Sequence, residues 1–223
     1  MTRPEQPPEL DWKETIPVSR QFDDPYFSLG GGLDETRHVF LTGNNLPDRF
    51  RDGFRIAELG FGTGLNLLAA LLAHQGPGHI HYTSFEAFPM QASDIARALT
   101  AFPETALVAP AFLDQWAKGA RTLHFPNLTA EIIVGDARQN LPAWQGKADA
   151  WFLDGFSPAK NPELWSPELM AEVARHTAPE GTFATYAAAG HVRRALAEAG
   201  FSVTRAPGFG RKRHMSRGIL ASV

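Results

Sequence analysis

The chain has 223 residues, of which 43% are hydrophobic and 20% charged, enough for one globular domain with a sizeable core. Its formal net charge of −3 indicates no globally basic surface for nucleic acid, although it leaves room for a local basic patch. The absence of cysteine excludes disulfides, thiolate nucleophiles and cysteine-ligated metals. No apolar run has membrane-spanning length and no signal-peptide core begins the chain, so we expect a cytoplasmic protein without a membrane partner.

The first fifty residues show no regular hydrophobic period. Residues 1–10 contain three prolines and two glutamates and are predicted to be disordered. Residues 11–50 are rich in turn-forming residues. We therefore expect an irregular N-terminal extension, residues 1–50, that packs on a core domain formed by residues 51–223.

From about residue 54 onward, short apolar runs alternate with helix-like segments. The predicted strands cover residues 54–59, 79–86, 130–136, 148–155, 181–187 and 201–206. The predicted helices cover residues 66–74, 90–102, 167–177 and 189–200. Such alternation is typical of an α/β fold with a doubly wound, mostly parallel sheet.

The end of the chain breaks this alternation. The strand 201–206 is followed by the short stretch PGFGRKRH and then by a last strand that begins near Met215. So short a connection requires antiparallel strands, because a parallel crossover needs a dozen or more residues. A seven-stranded, mostly parallel sheet that ends in an antiparallel hairpin is the layout of class I methyltransferases that use S-adenosylmethionine.

The stretch ELGFGTGLN, residues 58–66, places three glycines at alternate positions between a predicted strand and a predicted helix. A dinucleotide-binding fingerprint would require glycine at position 65, which is leucine. The pattern instead resembles the first motif of adenosylmethionine-dependent methyltransferases, where the turn and the helix N-terminus accept the carboxylate of the cofactor. The alternative is a glycine-rich connector. The candidate cofactor contacts in this stretch are Glu58, Gly60, Gly62, Gly64 and Asn66.

Three further acids, Glu86, Asp136 and Asp154, lie at the ends of later predicted strands. The carboxyl ends of parallel strands share one edge of the sheet, where open α/β folds bind ligands. A carboxylate at Glu86 can accept hydrogen bonds from ribose hydroxyls, in adenosylmethionine or in NAD, and Asp136 is a candidate for the adenine amino group. Alternatively, these acids are turn formers and helix caps.

Asp154 begins the stretch DGFSPAKNP and is the candidate catalytic residue. Methyl transfer needs a nitrogen lone pair in line with the sulfonium carbon, so positioning dominates the chemistry. An alkylammonium must first lose a proton, and a carboxylate can hold the amine and accept or relay that proton. Phe156 is a candidate for stacking on a planar base or covering the sulfonium, with core packing as the alternative.

Basic residues cluster near the C-terminus, at Arg205, Arg211, Lys212, Arg213 and Arg217. In the predicted hairpin, the turn that carries Arg211, Lys212 and Arg213 lies on the edge of the acids, where cations can bind nucleic-acid phosphates. The alternative is a solvated, charged turn. His38 is expected to be a structural hydrogen-bonder rather than a catalyst.

Several long segments resemble the methyltransferase-domain family of MnmC and its stand-alone counterpart MnmD. They cover residues 34–50, 57–68, 85–89, 149–165, 181–196 and 208–215, and the likeness extends from about residue 14 to the end. The resemblance implies methylation of 5-aminomethyl-(2-thio)uridine at the tRNA wobble position, with adenosylmethionine as cofactor and tRNA as partner. It carries Glu58, Gly60, Gly62, Gly64, Glu86 and Asp136 over as cofactor contacts and Asp154 as the acid beside the amine.

Bifunctional MnmC also has a flavin-dependent oxidase domain that produces the aminomethyl substrate, and no such segment follows here. We therefore expect no flavin and no metal in this chain, with the substrate supplied by a separate oxidase or another route, unless the chain is a fragment. Alternative functions are methylation of another amine, an NAD- or flavin-dependent oxidoreductase, and a non-catalytic RNA-binding module. The sequence does not determine the oligomeric state.

Overall fold

A computed structural model describes residues 6–28 and 30–221 of the chain. Its strands are β1 (Leu10–Lys13), β2 (Ile16–Ser19), β3 (Asp24–Pro25), β4 (Arg55–Leu59), β5 (Ile80–Glu86), β6 (Thr122–Phe125), β7 (Leu128–Val134), β8 (Ala148–Leu153), β9 (Thr177–Thr185), β10 (Phe201–Pro207) and β11 (His214–Leu220). Its α-helices are α1 (Gly32–Thr36), α2 (Leu65–Ala73), α3 (Ala92–Leu99), α4 (Ala109–Ala117), α5 (Ala137–Ala143), α6 (Pro167–Arg175) and α7 (Gly190–Glu198).

The central sheet has eight strands in the order β10-β11-β9-β8-β4-β5-β7-β6. Strands β9, β8, β4, β5 and β7 run parallel to one another, and β11 is antiparallel to both β9 and β10. The predicted doubly wound sheet and its C-terminal hairpin are therefore confirmed. The predicted count of seven strands was wrong, because β6 adds a short antiparallel edge next to β7.

Two hydrophobic cores cover the two faces of this sheet. Along β8 the side chains alternate, so that Phe152 packs with the residues of α2 and α4, while Trp151 packs with those of α6 and α7. Strand β8, which is buried on both faces, is apolar except for Asp149, as expected for a parallel sheet between two helical layers. The sheet is thereby fixed from both sides, and the carboxyl ends of its central strands are held in one row.

The segment before β4 is more regular than the sequence predicted. Strands β1, β2 and β3 form a small antiparallel sheet, and residues 32–44 form consecutive helical turns. The expected irregular extension was wrong in this respect, although Val39, Phe40 and Leu41 do pack into one of the two cores. Of the predicted disordered leader, residues 1–5 lie outside the described residues, residues 6–9 have no regular structure, and Leu10 already begins β1.

Within the described ranges, no helix combines the length and the apolar character that crossing a membrane requires. The same residues contain no cluster of histidine and acidic side chains suited to holding a metal ion.

Candidate functional site

A cavity of about 1200 Å³ opens at the carboxyl edge of the central strands. Its wall includes residues from the turn after β4, from the ends of β5, β7 and β8, and from the N-terminal segment that lies over this edge. Small-molecule sites usually enclose about 300–1,000 Å³, so this cavity has room for a cofactor and part of a second ligand. The predicted site residues in its lining are Gly60, Gly62, Asn66, Glu86, Asp136, Asp154, Phe156 and Lys212.

The glycines of the turn between β4 and α2 allow other parts of the protein to come close. Gly60 has φ of 83°, and a Cβ there would lie 3.1 Å from the Cα of Gly155, in the loop that follows β8. At Gly64, with φ of 75°, a Cβ would lie 2.9 Å from the ring of Phe112. Positive φ combined with such close neighbours explains the need for glycine at both positions. Direct contact of these glycines with a cofactor stays a prediction.

Asn66 joins two of the predicted acids in a buried chain of hydrogen bonds. Its amide nitrogen donates to Oε1 of Glu58 at 2.7 Å and to Oδ2 of Asp154 at 2.8 Å. Its amide oxygen accepts a hydrogen bond from the hydroxyl of Thr36 at 2.9 Å, which fixes the orientation of the amide. Asn66 therefore positions the Asp154 carboxylate from α2, in addition to lining the cavity.

Glu58 lies beneath the cavity rather than in its wall. It is fully buried, and its second oxygen accepts a hydrogen bond from Ser84 at 2.6 Å. Burial raises the pKa of Glu58 to about 8, against the opposing effect of the hydrogen bonds from Ser84 and Asn66. In this structure Glu58 supports Asn66, and a direct cofactor contact stays a prediction.

Asp154 presents a carboxylate of unusual basicity to the cavity. Its Oδ1 accepts the backbone N–H of Gly155 at 2.8 Å, and its Oδ2 accepts Asn66. Burial raises the pKa of Asp154 to about 6, although both hydrogen bonds and the nearby charge of Lys212 lower it. A carboxylate with this pKa is a better proton acceptor than an exposed aspartate and is still largely ionised near neutral pH.

Glu86, at the end of β5, is held by the turn that it faces. Its Oε2 accepts the N–H of Gly62 at 2.8 Å, and its Oε1 accepts the N–H of Phe88 at 2.7 Å. Burial raises the pKa of Glu86, while these backbone donors lower it. Each oxygen keeps a lone pair for a further donor, such as a ribose hydroxyl.

Asp136 is engaged with a neighbouring arginine. It caps α5 by accepting the N–H of Arg138 at 2.9 Å, and its carboxylate also pairs with the guanidinium of Arg138 at 2.7 Å. Arg138 lowers the pKa of Asp136 and bridges it to Glu163, at 2.8 Å. The expected contact of Asp136 with an adenine amino group stays a prediction, and it has to share this carboxylate with Arg138.

An aromatic cluster covers the end of the cavity beside the loop that follows β8. Phe156 stacks on Phe22, with ring centroids 4.7 Å apart, and meets the edge of Tyr26 at 5.0 Å. The carboxylate of Asp24 accepts the N–H of Ser157 at 2.8 Å and so ties β3 to the loop after β8. Phe156 thus packs against the N-terminal segment, and a role in stacking on a base stays a prediction.

The basic turn between β10 and β11 divides into two parts. The side chain of Lys212 reaches back to the cavity and pairs with Oε1 of Glu35 at 2.7 Å, while Arg211 and Arg213 are exposed. His38 is hydrogen-bonded to the carbonyl of Pro207 at 2.9 Å, as expected of a structural histidine. The expected substrate contacts of Arg211, Lys212 and Arg213 stay predictions.

Four functional candidates were not predicted from the sequence: Glu35, Thr36, Ser84 and Tyr186. Glu35 and Tyr186 line the cavity, and the Tyr186 hydroxyl donates to the carbonyl of Gly155. Glu35, Thr36 and Tyr186 lie in the segments 34–50 and 181–196 that resemble the family, and Ser84 lies inside a predicted strand, but the sequence did not distinguish any of them as a site residue. Their only local signal is a polar side chain inside a mostly buried stretch.

Comparison with known families gives a match over residues 103–221, more than half of the chain. The matching family model is described as S-adenosyl-L-methionine-dependent methyltransferase.

Two curated relatives are similar over nearly the whole chain. A protein of Pseudomonas aeruginosa, named tRNA 5-methylaminomethyl-2-thiouridine biosynthesis bifunctional protein MnmC, is 47% identical over 94% of this chain and 34% of its own length. A protein of the same name from Chromohalobacter salexigens is 42% identical over 97% of this chain and 33% of its own length. The chain therefore spans about a third of the length of these relatives.

A solved structure with a similar fold is that of MNMC2 from Aquifex aeolicus. It superposes with a TM-score of 0.80 at 24% sequence identity, over 100% of this chain and 73% of the other. This likeness supports the fold.

Proposed function

Because the chain belongs to this family of S-adenosyl-L-methionine-dependent methyltransferases, we propose that it methylates the primary amine of 5-aminomethyl-(2-thio)uridine at the tRNA wobble position, giving the 5-methylaminomethyl form. The names of the relatives from P. aeruginosa and C. salexigens support this substrate. We propose that residues 51–223 form the methyltransferase domain, with residues 1–50 packed on it. Because its proposed substrate is tRNA, we also propose that the protein is located in the cytoplasm.

The residues of the cavity fit the cofactor. Leu65 and Asn66, which begin α2, bring the positive end of this helix to the cavity, where a carboxylate is favoured. The free lone pairs of Glu86 suit two ribose hydroxyls, and Asp136 lies at the end of the next strand, β7. When bound, S-adenosylmethionine supplies a methyl group that is activated by the sulfonium.

The observation that supports this proposal most directly is the position of Asp154. Asn66 and Gly155 hold its ionisable carboxylate in the wall of the cavity. An amine nitrogen hydrogen-bonded to this carboxylate is fixed in position, with its lone pair free for the methyl carbon once one proton is lost. Asp154 accepts that proton directly or through water, because its raised pKa suits the task.

The remaining alternatives have less support. An NAD- or flavin-dependent oxidoreductase does not agree with the family, and a non-catalytic RNA-binding module would not need the carboxyl groups of Glu58 and Asp154 that Asn66 connects. Methylation of a small free amine would leave the exposed Arg211 and Arg213 without a role. Because the curated relatives are named bifunctional proteins, we propose that an oxidase, joined or separate, supplies the aminomethyl substrate.

The experiment is methyl transfer from labelled S-adenosylmethionine to tRNA from cells that lack this modification, followed by nucleoside analysis. Labelled 5-methylaminomethyl-(2-thio)uridine is expected with the wild-type protein. Asp154→Ala should abolish transfer and leave the affinity for S-adenosylmethionine within a few fold, because the carboxylate acts on the amine. Absence of the labelled nucleoside with active cofactor binding would reject the tRNA substrate. Unchanged turnover of Asp154→Ala would remove Asp154 from the mechanism.

A further inference from the structure

A second carboxylate lies in the wall of the cavity that contains Asp154. Glu35, in α1, is 9% exposed, and its two oxygens face different partners. One oxygen accepts a hydrogen bond from the hydroxyl of Ser28, and the other accepts the ammonium of Lys212 at 2.7 Å. The pair is asymmetric, because the side chain of Glu35 is 11% exposed and that of Lys212 is 41% exposed. The carboxylate is thus built into the wall, whereas the ammonium comes from a solvent-exposed turn.

The same ammonium also lies over an aromatic face. Nζ of Lys212 is 4.2 Å from the ring centroid of Tyr186, a geometry that stabilises a cation. The Tyr186 hydroxyl is fixed by its hydrogen bond to the carbonyl of Gly155, the residue after Asp154. A primary ammonium is therefore held between a carboxylate and an aromatic ring, with Asp154 in the wall of the same cavity.

A primary ammonium is also the reactive group of the proposed substrate. A buried carboxylate that loses its cation is strongly destabilised, so Glu35 needs a cationic partner whenever Lys212 is absent. The aminomethyl group of the substrate has the same –CH₂–NH₃⁺ end as a lysine side chain. It can take the place of the Lys212 ammonium, so that the Glu35 carboxylate and the Tyr186 ring both keep a cationic partner.

We propose that Glu35 and the face of Tyr186 form the binding site for the ammonium of the aminomethyl substrate, and that Lys212 occupies this site until the tRNA binds. This inference rests on the proposed tRNA function and assigns its amine pocket. Exchange releases Lys212 toward solvent at the turn that also carries Arg211 and Arg213, where it is available to a phosphate. Lys212 therefore acts as a resident competitor for the substrate amine.

The test compares the binding of two tRNAs in the presence of S-adenosylhomocysteine, so that no turnover occurs. One tRNA carries the aminomethyl group at the wobble uridine, and the other is the same tRNA with an unmodified uridine. The ratio of their dissociation constants measures recognition of the ammonium together with any phosphate contact of the displaced Lys212, since all other phosphate contacts are common to both. We expect the wild-type protein to prefer the aminomethyl tRNA by about tenfold, the lower end of the ten- to hundredfold range for a hydrogen bond to a charged group, because displacing Lys212 from Glu35 offsets part of the gain.

Glu35→Gln should reduce this preference to about twofold or less, and its affinity for unmodified tRNA should stay the same or rise, because the carboxylate no longer holds Lys212. Lys212→Met should keep or increase the preference, because the competing ammonium is removed. Glu104→Gln, at an exposed turn before α4, is the matched control and should behave as wild type. Thermal unfolding of each variant reports any structural role of the Glu35–Lys212 pair separately.

Three results would overturn the inference: no preference in a wild-type protein that turns over, a full preference in Glu35→Gln, or a lost preference in Lys212→Met. If Glu35→Gln does not fold, the single variants Lys212→Met and Tyr186→Leu decide. Tyr186→Leu should lower the preference because it removes the aromatic face. Methyl transfer by the wild-type protein is measured alongside. Its absence would refute the proposed function, whereas its presence with any of these three results would refute only the amine pocket.

Discussion

At the scale of single residues, the titration of Asp154 governs how the reaction depends on pH. Burial raises its pKa to about 6, and the carboxylate must be ionised to hold the amine and accept its proton. The rate of methyl transfer in single-turnover experiments should therefore fall about tenfold per pH unit below about pH 6 and flatten above it. Asp154→Glu should keep such an acidic limb at a shifted position, whereas Asp154→Asn should lack it together with most of the rate.

Asp149 provides the matched control for this profile. It lies on the same strand, β8, but near its amino end, where it pairs with Arg51 at 2.8 Å. Asp149→Asn should retain the acidic limb near pH 6, because its charge is remote from the cavity. An acidic limb that persists in Asp154→Asn would assign the titration to another group.

At the scale of secondary-structure elements, the turn between β10 and β11 should set the salt dependence of tRNA binding. Arg211 and Arg213 are exposed, while Lys212 is turned toward Glu35. Each phosphate contact contributes roughly 0.7–0.9 to the slope of log K against log salt, so Arg211→Ala with Arg213→Ala should flatten that slope by about 1.4–1.8. Filter binding at several salt concentrations measures this slope.

The control for the turn removes the same charge from the opposite edge of the sheet. Arg55 begins β4 and Lys147 immediately precedes β8, and both residues are exposed. The double variant Arg55→Ala with Lys147→Ala should bind tRNA with the wild-type slope. Equal flattening in both double variants would indicate a dependence on net charge rather than a phosphate site at the turn.

At the scale of the whole molecule, the small sheet β1–β3 closes the cavity from outside the central sheet. It is anchored on one side by Arg97, which lies 3.9 Å from the ring of Trp12, and on the other by Asp24, which accepts the N–H of Ser157. A hydrogen bond to a charged acceptor contributes about 1.5–3 kcal/mol. Asp24→Ala should therefore speed amide exchange in residues 20–28 by about ten- to hundredfold without affecting β4 or β8.

Hydrogen–deuterium exchange with peptide resolution measures this local opening. Adding S-adenosylmethionine to the wild-type protein should slow exchange in residues 20–28 and 58–66, because a ligand that binds the closed form stabilises it. Asp34→Ala serves as the control, since its side chain pairs on the surface with the neighbouring Arg37 and, among the residues that the structure describes, forms no other ion pair. Faster exchange spread over all strands in Asp24→Ala would mean global destabilisation rather than opening of this cover.

The central elements could be predicted from the sequence because their signals are local and strong. The short apolar runs of β4 and β8 fit buried strands of a parallel sheet, and the glycine turn and helix α2 that follow β4 fix the direction of the chain. Weak local signals explain several of the elements that were missed. Strand β6 has four residues of alternating burial, helix α5 is seven residues long and contains Pro142, and β3 has only two residues.

The sequence by itself determined the fold class, the row of acids at the strand ends and the basic turn. Each of these depends on residues that lie within one element or its flanking turn. Only the tertiary structure decided that Glu58 supports Asn66 from below, that Lys212 points inward, and that Glu35 and Tyr186 join the site. Residues 35 and 212 are separated by 177 positions, and no periodicity links them. Their contact forms because the N-terminal segment packs across the edge of the sheet and brings Glu35 close to the turn that carries Lys212. A buried carboxylate is stabilised by a nearby cation, and Lys212 provides it.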